Sequence, residues 1–158
     1  KAVMRNLCLT ISRFAMAGWV GAACLFIVTT LQDVHSPDLS SVAKAEIVVR
    51  KFPIYYGFGF GLLIPACVLV IAGLPAAAGK RRWIIGGLLL IPLVLTAVDY
   101  LWIYRPLEEM TAAVDQARPA AFLGYHSASK WINTVQVAAS VVAALAVCWP
   151  LPRIEASP

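Results

Sequence analysis

Charge is what this sequence has least of: Asp, Glu, Lys and Arg make up 13% of its 158 residues, where a soluble domain carries about a quarter. The apolar fraction is 61%, against about 45–50% in a soluble domain, and the excess is more than a globule of this length can bury. Lipid must therefore solvate part of it. Histidine is scarcer still, with only His35 and His126. Cys8, Cys24, Cys67 and Cys148 all fall in apolar stretches and form no C-x-x-C, which argues against a thiol–disulfide enzyme and against a zinc site. Such cysteines pack as small hydrophobes. No phosphate-cradling glycine loop, internal repeat or nucleic-acid-binding pattern is present, so the net charge of +5 reads as membrane orientation and headgroup contact.

What the chain has instead is long apolar runs. A bilayer core takes about 20 helical residues. Four stretches meet that length, approximately 7–31, 53–75, 83–104 and 122–149, within a single membrane domain covering 1–158. The spacing predicts an all-α polytopic membrane protein, a four-transmembrane-helix bundle whose outer loops carry short amphipathic helices. The first loop helix is expected in "SPDLSSVAKAEIVVRKF", capped by Ser36 with Pro37 at its first position. The second is expected in "RPLEEMTAAVDQARP", from Pro106 to a stop at Pro119. Pro65 and Pro92 should kink spans two and three. Gly57 and Gly61, with Gly18, Gly21 and Ala22, form small-residue surfaces expected to pack the bundle tightly, as do Ala139 and Ala143.

The chain starts at Lys1 with no methionine, so a short preceding piece is expected. Lys1 and Arg5 before an apolar run imitate a signal peptide, and "GAAC" ending at Cys24 imitates a lipoprotein site. The run nevertheless continues through Leu31, which favours a retained span. Four spans place both termini on the side of the "KRR" turn at Lys80–Arg82. That side also holds Lys1, Arg5, Arg13 and Arg153, and the other holds Lys44, Arg50, Lys51, Arg105, Arg118 and Lys130. The totals nearly balance, but the shortest loop is purely basic, so both termini are expected to be cytoplasmic.

Polar groups gather toward the outer half of these spans. At 100° per residue, His126, Ser129, Lys130, Asn133, Gln136 and Ser140 fall within roughly 120° of the fourth helix, opposite Trp131, Val135 and Val142. Lipid rejects such a stripe, so it must face the bundle. Asp99 lies about 8 Å of helix rise from Tyr104 in span three, Gln32, Asp33 and His35 end span one, and Tyr55 and Tyr56 open span two. An intramembrane carboxylate marks a functional site by default, and its expected partner is Lys130, with His126 second. The plainer account is that Asp99 and Lys130 neutralise each other while Asn133 and Gln136 join helices. The candidate ligand-binding residues are His126, Asn133, Asp99, Lys130, Ser129, Tyr55 and Tyr56. A haem needs one strong axial ligand and His126 could serve, which leaves haem or copper open as cofactors without implying either. Catalytic residues are not expected: Ser127 and Ser129 adjoin His126 in sequence, but i,i+1 neighbours diverge on a helix, and nothing suggests an oxyanion hole.

"VRKFPIYYGFGFG", "YRPLEEM" and "FLGYHSASKWIN" together resemble the transmembrane protein 205-like family of small four-span membrane proteins. The resemblance rests on Phe52, Pro53, Tyr55 and Tyr56 at the opening of span two, on Pro106 and Met110 after span three, and on the H-x-x-S-x-x-x-N pattern of His126, Ser129 and Asn133. It covers spans two to four. Asp99, where the family pattern has a neutral polar residue, and the short stretch before span four depart from it. The resemblance implies four helices and an outer cluster of motif residues, and it implies no reaction. The function expected is a non-enzymatic accessory or assembly subunit of a larger membrane complex, with the lipid bilayer and other membrane subunits as partners and no nucleic acid. The alternative is a stand-alone binder or conduit for a small solute, metal or haem.

Overall fold

The computed structural model describes residues 2–74, 78–111 and 119–149, and the described residues are all-α with no strand. Helix α1 is Ala2–His35, α2 is Ser41–Gly73 and α3 is Lys80–Val98. A π-helical segment, Asp99–Tyr104, continues α3 directly into the short α4, Arg105–Thr111; α5, Phe122–Cys148, follows. Four helical units, Ala2–His35, Ser41–Gly73, Lys80–Thr111 and Phe122–Cys148, are long and apolar enough to cross a membrane. Lys1, Pro75, Arg118 and Arg153, which entered the reading of spans, loops and orientation, lie outside the described residues, as does the rest of 112–118.

The expected loop helices are extensions of the spans rather than separate elements. The N-cap of α2 is Ser40, not Ser36, and its hydroxyl accepts from Ala43 N at 3.2 Å. From there one helix runs through Pro53 and Pro65 to Gly73. Proline removes one backbone donor but fits helical φ, so the helix continues across it when packing holds the flanking turns. Beyond span three the same continuity carries the backbone through the π segment to Thr111. The tight turn into α3 ends on Gly79, whose φ of 54° puts it in the region that L side chains avoid.

The helices form an antiparallel ring in which α1 packs on α2, α2 on α3, α3 on α5, and α5 back on α1. Each contributes a seam at alternating three- and four-residue spacing. In α1 it is Leu9, Ser12, Met16, Trp19 and Ala23; in α3, Ile85, Leu89, Pro92, Thr96 and then Asp99; in α5, Ser129, Gln136, Ser140, Ala143 and Val147. This is the knobs-into-holes repeat of a coiled coil. The start of α1, the Gly79 turn and the end of α5 share one end of the bundle. There Arg13 Nε donates to Val147 O at 3.1 Å, and Arg81 Nη2 to Trp149 O at 2.9 Å. At the opposite end Lys51 pairs with Asp33.

Two packing expectations are corrected. Gly57 and Gly61 are exposed, with nothing within 4 Å of where a Cβ would sit, and Gly21 is likewise open. The glycines that bring helices together are Gly59, whose Cβ would lie 2.9 Å from Trp19 Cη2, and Gly73, whose Cβ would lie 2.8 Å from Leu9 Cγ. Cys24 and Cys148 are exposed on apolar surface, while Cys8 and Cys67 are half-buried, so only the latter two help fill the bundle.

Candidate functional site: a buried carboxylate in a polar core

The interior is polar along a line that climbs the bundle. Near the basic end, Ser12 Oγ of α1 donates to Ala66 O of α2 at 2.9 Å. Higher up, Trp19 Nε1 donates to Ser140 Oγ at 3.1 Å, and Ser140 Oγ in turn to Gln136 O at 2.8 Å. Gln136 Nε2 donates to Thr96 Oγ1 at 2.7 Å, and the Thr96 hydroxyl returns to Pro92 O at 2.7 Å. Tyr55 Oη points between Asn133 Oδ1 and Gln136 Oε1, at 3.2 and 3.3 Å, so one phenolic proton serves both amides. The Ser12, Trp19, Gln136 and Tyr55 bonds each tie two helices, while those of Ser140 to Gln136 O and Thr96 to Pro92 O stay within one.

Asp99 ends this line. It sits where α3 widens into the π segment, and the Arg105 N–H there reaches Tyr100 O, five residues back. Its carboxylate is 1% exposed. Oδ2 accepts from Tyr56 Oη at 2.7 Å and from Asn133 Nδ2 at 2.6 Å. Asn133 is itself held by its own helix, with Nδ2 also donating to Ser129 O at 2.9 Å and approaching Ser129 Oγ at 3.3 Å. Oδ1 is buried with no hydrogen-bond partner.

Aromatic rings close over the cluster. Phe26 stacks on Tyr55 at 4.2 Å between centroids, and Trp19 tilts against the same ring at 5.2 Å. Tyr56 is flanked by Tyr100 at 5.1 Å and Tyr104 at 5.0 Å. Tyr104 continues outward, stacking on Phe52 at 5.5 Å and donating from its hydroxyl to Glu108 Oε1 at 3.1 Å. The polar cluster is thereby flanked by the rings of Trp19, Phe26, Tyr100 and Tyr104.

Of the residues singled out from sequence, the structure brings together Asp99, Asn133, Ser129, Tyr55 and Tyr56. It does not bring Lys130 or His126 to them. Both are exposed on α5, and His126 stacks on Phe122 with centroids 5.7 Å apart. The expected Asp99–Lys130 pair is replaced by Tyr56 and Asn133. The reason is angular: Lys130 directly follows the buried Ser129 and so points about 100° away from it. The inward direction falls on one side of the polar arc, at Ser129, Gln136 and Ser140, and leaves His126 and Lys130 on the exposed side. Replacing Lys130 with alanine is accordingly expected to change stability by no more than about 0.5 kcal/mol in a reversible unfolding titration; a loss of about 3 kcal/mol or more, the cost of unpairing a buried charge, would restore the ion pair.

A transition-metal ion or haem fits this set poorly. His126 is exposed while Asp99 is buried, and among the described residues no group of three or more His, Cys, Asp or Glu side chains could hold a metal ion. Ser129 faces inward and His126 outward, so the two do not form a nucleophile and base. Thr96 and Trp19 belong to the network and escaped the sequence reading. Their only signal is position, since each continues the three–four seam of its helix. No family model matches the chain, and no curated protein or solved structure matches it either.

Proposed function

We propose that this chain is an integral membrane protein of four spans, with both termini cytoplasmic, and that it is a non-enzymatic accessory or assembly subunit of a larger membrane complex. One observation carries the reading. The buried polar groups are spent on joining the chain's own helices, so the surface left for partners is the apolar exterior. That exterior includes Phe14, Leu25, Ile54, Phe58, Trp83, Trp131 and Leu145, all exposed. Arg5, Arg13 and Lys80–Arg82 gather at the end where α1 starts and α5 stops, which supports a cytoplasmic assignment for that end. Descent from the transmembrane protein 205-like family is part of the proposal, supported by Ser129 and Asn133 of the H-x-x-S-x-x-x-N pattern lying together beside Asp99.

The test is the native mass of the protein in gently solubilised membranes of its source. A large peak containing other membrane proteins is the expected result; a peak of the 17.0 kDa chain in its detergent alone would overturn the subunit reading. A second reading, a binder or conduit for a small solute, is favoured by Asp99 Oδ1, a buried charged-group oxygen that no other side chain satisfies.

A further inference from the structure

The Asp99 carboxylate is asymmetric. Oδ2 takes two donors, from Tyr56 and Asn133, while Oδ1, equally buried, takes none. Placing an ionised carboxylate in a medium of low dielectric costs several kcal/mol unless a positive charge compensates it. The side chains facing it supply hydrogen bonds and no such charge. Tyr55 and Tyr56 come from α2, and Tyr100 and Tyr104 from the π segment; α5 brings Asn133 and Ser129 inward and keeps Lys130 and His126 on its exposed side. From α1 come the rings of Trp19 and Phe26, with Cys24 exposed beyond them. On α4 Glu108 is engaged with Tyr104, and the pair Lys51–Asp33 compensates itself.

The backbone is also unusual at this residue. A π segment begins at Asp99, and such widened turns are frequent at functional sites. Tyr56 and Asn133 fix the carboxylate through one oxygen and leave the other without a hydrogen bond. One carboxylate contributes one negative charge, which suits a monovalent ion; a divalent ion needs further acidic ligands, and none gather here among the described residues.

We propose that Asp99 Oδ1 is the binding atom of an exchangeable monocation, either a proton or an alkali-metal ion, held in the outer half of the bundle. The inference rests on the second reading above and names the ligand class of that site. If the ion is a proton, Oδ1 gains it from the outer aqueous phase and the carboxylate becomes a carboxylic acid. If it is an alkali ion, the carboxylate stays ionised and the ion exchanges some of its water for Oδ1. In both cases the side chain's net charge is cancelled while Oδ2 keeps its two donors.

Infrared difference spectroscopy of the full chain in lipid, with carboxyl-13C aspartate, reads this directly. The pH is titrated in choline chloride, and at fixed pH choline is exchanged for lithium, sodium or potassium. The expected result is a labelled band that converts between acid and carboxylate with pH, identifying a proton, or a carboxylate band that shifts with one alkali ion and not with choline, identifying a metal ion. Asp99→Asn should abolish the signal. Should that variant not fold, Tyr56→Phe assigns the band instead, because losing a donor on Oδ2 shifts Asp99 and leaves the other aspartates unmoved.

A band that responds to neither pH nor ions overturns the proposal, and heavy water then separates the two failures. If heavy water still shifts the band, by exchange at Tyr56 and Asn133, the cluster is reached by solvent and remains a binding site for some other small solute. If heavy water also leaves it unchanged, the cluster is sealed and the second reading falls with the proposal.

Discussion

Replacing Gly59 by valine should destabilise the bundle by about 2–3 kcal/mol, far more than the same change at the exposed Gly57 or Gly61 of the same helix. A Cβ at this position would lie 2.9 Å from Trp19 Cη2, 3.0 Å from Trp19 Cζ3 and 3.6 Å from Thr96 Cγ2. Contacts that short are relieved only if something moves, and this ring is poorly placed to move. Trp19 is fully buried, its ring lies against Tyr55, and its Nε1 is bonded to Ser140 Oγ at 3.1 Å. Overpacking a filled interior costs about 1–3 kcal/mol, and displacing the indole adds the loss of an interhelical hydrogen bond worth about 0.6 kcal/mol. Gly57→Val and Gly61→Val are the controls, since open space surrounds both positions. They should stay within about 0.5 kcal/mol of the parent protein in the same unfolding titration. Equal losses at all three glycines would show that the α1–α2 contact is not set by the Trp19 ring.

Asn133→Ala should be nearly as costly, at about 2–3 kcal/mol, and for a different reason. The amide donates to Asp99 Oδ2 and to Ser129 O, and its oxygen accepts from Tyr55 Oη. Its removal leaves Asp99 with Tyr56 as the remaining donor. A hydrogen bond to a charged group is worth about 1.5–3 kcal/mol, and stranding a buried acceptor costs more than an ordinary interhelical bond returns. The loss should therefore depend on Asp99. In an Asp99→Asn background, Asn133→Ala is expected to cost at least about 1 kcal/mol less, a coupling that a double-mutant cycle measures. Strict additivity would mean that Asn133 acts through its own helix and through Tyr55, with no share in holding the carboxylate.

The sequence and the structure part company in an orderly way. The apolar stretches near 7–31, 53–75, 83–104 and 122–149 each correspond to a helix long and apolar enough to cross a membrane. The helix start expected from a capping pattern fell differently. Ser36–Pro37 has the grammar of a helix start, yet the chain turns there and caps on Ser40. Once α2 begins, its packing against α1 and α3 carries it through Pro53. Local propensity is worth fractions of a kcal/mol per residue, and a continuous packed face outweighs it.

The site divides the same way. Asp99 stood out from sequence because a carboxylate among apolar residues has no cheap surroundings, and Asn133, Ser129 and the two tyrosines stood out with it. Their assembly was legible only as a tendency of polar groups to collect in one half of the chain's spans. Which of them touch depends on helix rotation, and a single residue step of about 100° separates the buried Ser129 from the exposed Lys130. Gly57 and Gly61 misled for the same reason, since Gly59 between them faces the neighbouring helix and they face away.

By itself the sequence determined how many apolar spans there are and about where they lie, because a run of apolar residues long enough to cross a bilayer can satisfy its backbone only as a helix. The tertiary structure decided which face of each helix turned inward. Hydrophobicity does not make that choice when the exterior is as apolar as the core, as the exposed Phe14, Ile54, Trp83 and Leu145 show. The inward faces are marked instead by small and polar residues such as Ser12, Gly59, Thr96, Gln136 and Ser140, whose value depends on the partner that another helix supplies.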